Sequence, residues 1–116
     1  MFHKLALLIA CFAMVTSYVF AGVNVTSPKS GSTVSSLVHY SATAGGTSCS
    51  QGVASMGIYT APGVLSYVTN GTSINTDLTL SPGTYNTTVE QWDYCGGAST
   101  TAITITVSSR DRKSVV

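Results

Sequence analysis

A chain of 116 residues with five basic and four acidic side chains has room for one domain and carries almost no net charge. No basic stripe exists to neutralise phosphates, which excludes a nucleic-acid binder. Charged residues make up 8% of the chain against roughly 25% in ordinary soluble domains, so solubility rests on Ser, Thr, Asn and Gly.

Residues 1–21 read as a secretory signal peptide. Lys4 supplies a basic start, Leu5 to Val15 is almost wholly apolar, and Val19-Phe20-Ala21 suits cleavage before Gly22. Thr16, Ser17 and Tyr18 interrupt the apolar run and no basic stop follows, which disfavours a membrane anchor. Leu8-Ile9-Ala10-Cys11 offers a minor alternative, a lipid anchor at Cys11. After cleavage, four bases (Lys29, Arg110, Arg112, Lys113) face four acids (Asp77, Glu90, Asp93, Asp111), so the formal charge is zero. The expected location is secreted or periplasmic, with no membrane association once the signal is gone.

The remainder is a train of short alternating segments separated by Gly, Pro, Asn and Ser clusters, and no segment has a helical apolar stripe. Val23 and Val25 form the first, ended by Ser27-Pro28. The second runs from Val34 to Ala44, with Val38, Tyr40, Ala42 and Ala44 inward and His39, Ser41 and Thr43 outward. A loop with Cys49 leads to the third, where Met56 and Ile58 face inward and Gly57 and Tyr59 outward. Ala61-Pro62-Gly63 turns the chain into an edge strand over Val64 to Thr69, and Asn70-Gly71 is a second turn signal. Ile74, Thr76, Leu78 and Leu80 share one face of the fifth. In the sixth, Tyr85, Thr87, Val89 and Gln91 take one face, Glu90 and Trp92 the other. Ile103, Ile105 and Val107 close the seventh. Seven strands predict an all-β, Ig-like or fibronectin-III-like Greek-key sandwich over residues 22–107, followed by a flexible tail, 108–116.

Cys49 and Cys95 are an even pair in an oxidising compartment and are expected to form a disulfide. Counted from 49 through 95 the loop holds 47 residues, which a chain-entropy model values at about 4 kcal/mol. The loops after the second and sixth strands emerge at one end of such a sandwich, so the bridge belongs at a rim. Ala42 and Val89 then fill the mid-strand positions.

Several stretches carry a family resemblance: VTSPKSGSTVSS (Val25–Ser36), ASMGIY (Ala54–Tyr59), Asn70-Gly71, LSPGTY (Leu80–Tyr85) and Gln91-Trp92-Asp93 before a Gly-rich turn. Together they resemble the bacterial immunoglobulin-like domains of exported proteins, acidobacterial type, over about residues 23–107. The resemblance implies the sandwich fold and says little about activity, because such modules serve as spacers, adhesion units and carbohydrate-contacting appendages alike. Tyr85 after Pro82-Gly83 looks like a tyrosine corner, a structural role.

Catalytic chemistry finds no support. His39 is the one histidine after processing and has no evident partner, and Glu90 and Asp93 fall on opposite faces of a strand. No calcium-loop or zinc spacing occurs. The expectation is a non-catalytic module with no metal and no cofactor, made for binding, adhesion or structural spacing. The surface most suited to a protein or glycan partner is an outward aromatic row, Tyr59, Tyr67 and Trp92, which as a carbohydrate-binding face is the alternative reading.

Overall fold

Period-two alternation becomes strand throughout the computed structural model, which describes residues 22–109. The expected signal peptide with Cys11, and most of the expected flexible tail, lie outside the described residues. The strands are β1 (Asn24–Ser27), β2 (Thr33–Ser35), β3 (Val38–Thr43), β4 (Val53–Ala61), β5 (Val64–Asn70), β6 (Ser73–Leu78), β7 (Gly83–Asp93) and β8 (Ala98–Ser108). They form two sheets, one ordered β1-β3-β6 and the other β2-β8-β7-β4-β5, facing each other in a sandwich-like arrangement. All neighbours are antiparallel except β2 and β8, which run parallel.

Among the described residues the strands number eight, not the expected seven. The segment from Val34 to Ala44 breaks at Ser36 and Leu37: β2 joins β8 in one sheet and β3 joins the other. Alternation does not reveal such a crossing, because side chains pointing inward from either sheet meet the same core. Leu37, at the crossing, is 58% exposed. Ser36 Oγ accepts the amide of Leu80 (3.1 Å) and holds the junction to the end of β6. Likewise, Asn70-Gly71 joins two sheets and closes no hairpin. The last strand also runs one residue past Val107, and the Ser108 hydroxyl donates to the Val34 carbonyl.

The core lies between the sheets. Val38, Tyr40, Ala42 and Ile74 come from one, Met56, Ile58, Val89, Ile103, Ile105 and Val107 from the other. Burying each valine, isoleucine or methionine among them is worth about 1.5–3 kcal/mol before chain entropy is subtracted. Two polar side chains lie among them, and both are hydrogen-bonded. The Tyr40 hydroxyl donates to Thr87 Oγ1 (2.9 Å), whose own proton goes to the Ile103 carbonyl (2.6 Å). Burial pushes the Tyr40 phenol above its ordinary pKa, with the Thr87 contact opposing it. Gln91 accepts the Gly45 amide (2.7 Å) and donates to the Gly45 and Gly46 carbonyls (3.4 Å each), fastening the β3–β4 loop.

Cys49 and Cys95 are bridged, with their Cα atoms 5.7 Å apart, and the bridge joins the β3–β4 and β7–β8 loops at one rim. A disulfide fits an oxidising compartment. Ala42 and Val89 are buried in the core. At the other end the Tyr85 hydroxyl donates to the Ser81 carbonyl (2.7 Å), closing the β6–β7 corner.

Candidate functional site: the outer face of the five-stranded sheet

With Thr87, Val89 and Gln91 committed to the core, β7 must turn Asn86, Thr88, Glu90 and Trp92 outward. In β4, Met56 and Ile58 face the core, which leaves Ser55, Gly57 and Tyr59 on the outer side. The β4–β7 register sets Ser55 opposite Trp92, Gly57 opposite Glu90 and Tyr59 opposite Thr88.

Trp92 does not stand up from the sheet. Its indole reaches over Gly57, where an added Cβ would lie 3.0 Å from Trp92 Cη2, 3.0 Å from Leu65 Cδ1 and 2.8 Å from the Tyr67 carbonyl oxygen. Glycine at this position lets the indole and Leu65 settle against backbone. Tyr59 meets the indole with ring centroids 6.5 Å apart and planes at 59°, within the tilted geometry aromatic pairs favour. Leu65 and Val68 of β5, 44% and 53% exposed, extend the apolar strip to the sheet edge.

Tyr67 is not part of that strip. It pairs with Ile58 and packs on the core, so the expected three-ring row is a two-ring pair. The register jumps from Ile58 opposite Tyr67 to Tyr59 opposite Leu65, leaving Ser66 as a bulge. That extra residue shifts the parity of β5, so Leu65 faces out where Tyr67 was expected. The Ser66 hydroxyl is 2.6 Å from that of Thr60. Gly57 and the aliphatic pair Leu65 and Val68 are the contributors that sequence reasoning missed. A glycine inside a regular strand pattern was the available signal for a close approach.

Beside the strip the sheet surface sinks into an open groove of about 410 Å³, with Tyr59 as one wall and the Pro62-Gly63 turn as another. Gly63 takes φ +74°, a conformation suited to glycine in a tight turn. Asn86, Thr88 and Glu90 line its β7 side.

Elsewhere His39 has a partner after all. Its Nδ1 lies 2.7 Å from Asp77 Oδ1 across the β3–β6 pairing, on the outer face of the three-stranded sheet. The two side chains are 50% and 53% exposed, so this is a surface pair worth at most about 1 kcal/mol. The nearby Ser27 hydroxyl donates to the His39 carbonyl (2.9 Å) and not to its ring.

One group among the described residues, Cys49, Asp93 and Cys95, brings candidate metal-ligand atoms within 4.8 Å of one another. Both sulfurs belong to the disulfide. Asp93 accepts from the Thr47 hydroxyl (2.7 Å) and from the amides of Gly97 (2.8 Å) and Cys95 (2.9 Å). The Thr47 hydroxyl first, then the Gly97 amide, hold this carboxyl below its ordinary range. As built, the cluster organises the rim loops.

Compared with family models, with curated proteins and with solved structures, the chain matches none of them.

Proposed function

We infer that this chain is an exported, non-catalytic Ig-like module that binds or adheres through the outer face of its five-stranded sheet. The observation that carries this reading is the seat of Trp92: a large aromatic laid over Gly57 against Tyr59 and Leu65, on the side of the sheet away from the core. An apolar strip of this kind, in a chain otherwise surfaced with hydroxyls and amides, is what a partner surface can desolvate. The strand order β1-β3-β6 against β8-β7-β4-β5 supports the Greek-key reading, with β2 as an additional strand. The basic start and apolar run of residues 1–21, together with the disulfide, support export to a secreted or periplasmic location. The partner is a protein or glycan surface, and the acidobacterial-type Ig-like resemblance belongs to the same proposal.

The test uses the full chain, expressed for export and purified, on a glycan array and in pull-downs from cell-envelope extract. Trp92→Ala is expected to remove binding while the melting temperature falls by only a few degrees. Unchanged binding, or a collapse of the melting temperature, would overturn the reading.

Structural spacing is the second reading, and one observation favours it. Val23 is hydrogen-bonded to Thr101, three residues into β8 (2.9 and 2.8 Å), and the strand runs on to Ser108. The chain thus enters and leaves the sandwich about 23 Å apart along one strand, which suits end-to-end stacking. A spacer predicts that Trp92→Ala leaves every interaction intact.

A further inference from the structure

We propose that the groove beside Tyr59 is a subsite for one uncharged sugar residue, its ring face against Tyr59 and its hydroxyls shared among Asn86, Thr88 and Glu90. The proposal rests on the binding reading above and gives it a ligand class. The groove volume, about 410 Å³, falls in the ~300–1,000 Å³ range of small-ligand sites. Three side chains of one strand reach it from alternate positions, about 6.7 Å apart along β7, so their polar atoms follow one line across the floor.

The hydrogen-bonding capacity they have left is complementary. Asn86 Oδ1 already accepts the Thr104 hydroxyl (3.2 Å), which fixes the amide and leaves the Nδ2 hydrogens to donate. Among the described residues no hydrogen-bond partner within the protein engages the Thr88 hydroxyl, the Glu90 carboxylate or the Tyr59 hydroxyl. One donor, two groups that donate or accept, and one acceptor-only carboxylate match a ring of hydroxyls, each of which both donates and accepts. The aromatic wall matches the C–H face of such a ring. Charge narrows the class. Among the described residues Glu90 is the one acid lining the groove and no base lines it, so a ligand carrying carboxylate or sulfate is repelled while a hydroxyl is bound.

The experiment titrates the full chain with neutral, uronic-acid and sulfated oligosaccharides by calorimetry, with thermal melts as the folding control. Neutral sugars are expected to bind. Tyr59→Ala should weaken them at least tenfold, and Tyr59→Phe, which keeps the stacking face and loses one hydroxyl, should weaken them less than Tyr59→Ala does. Glu90→Gln should weaken neutral sugars by about tenfold and let uronic-acid ligands in. Binding of acidic sugars alone would overturn the subsite and leave the binding-module reading standing. So would binding, to sugar or protein, that Trp92→Ala abolishes and Glu90→Gln does not touch. Failure of the chain to bind any glycan or envelope protein would overturn both.

Discussion

The inner and outer faces of β7 are made by the same eleven residues, yet they treat polar groups in opposite ways. Inward, Thr87 and Gln91 are buried and every useful polar atom on them is engaged: by Tyr40 and Ile103 in one case, by the backbone of Gly45 and Gly46 in the other. Outward, Thr88 and Glu90 are half-buried and have no side-chain hydrogen-bond partner among the described residues, beside an indole that lies on the sheet surface. A buried donor without a partner costs about 1–3 kcal/mol, so the core leaves no polar capacity over. Water satisfies the outer groups at no such cost. The proposed binding function therefore sits on the side of the strand where folding left hydrogen-bonding capacity unspent.

Neighbouring residues on β4 give the sharpest way to break that contrast. Ile58→Ala empties a fully buried site and should cost about 2–5 kcal/mol, lowering the melting temperature by roughly 10 °C or more. Its outward neighbour Tyr59→Ala should cost no more than about 1 kcal/mol, and chemical denaturation of both variants measures the difference directly. Equal losses would show that the outer face is as structural as the inner one. Between these, Gln91→Ala leaves the Gly45 amide and two carbonyls without their partner and should cost about 1–3 kcal/mol. Hydrogen exchange at Gly45 should speed up with it.

The smallest effect is expected from acid. Asp93 has its carboxyl pKa lowered by Thr47 and the Gly97 and Cys95 amides, so the charged form is favoured in the folded state. Its contribution to stability is complete above the unfolded pKa, about 3.8, and is lost as pH falls through the lower folded value. Melting curves from pH 6 to pH 2 should decline below about pH 4. Thr47→Val should flatten that decline, because the largest cause of the shift is gone.

Much of the molecule was legible in the residues themselves. Alternation separated inward Met56, Ile58, Val89 and Ile105 from outward Tyr59 and Trp92, and the even cysteine pair pointed to a rim bridge between two loops. Where alternation was poor, the reading went astray. In β5, Val64, Leu65, Tyr67 and Val68 carry no clean period, and the bulge at Ser66 moved Tyr67 to the core side.

What the sequence determines by itself is therefore which side chains seek the core, because period-two hydrophobicity is a local property of an extended chain. Which sheet β2 joins, that His39 meets Asp77, and that Gly57 becomes the bed for Trp92 were decided only by tertiary structure. Each depends on register between segments far apart along the chain, and a local pattern records the direction a residue faces without recording the residue it will face.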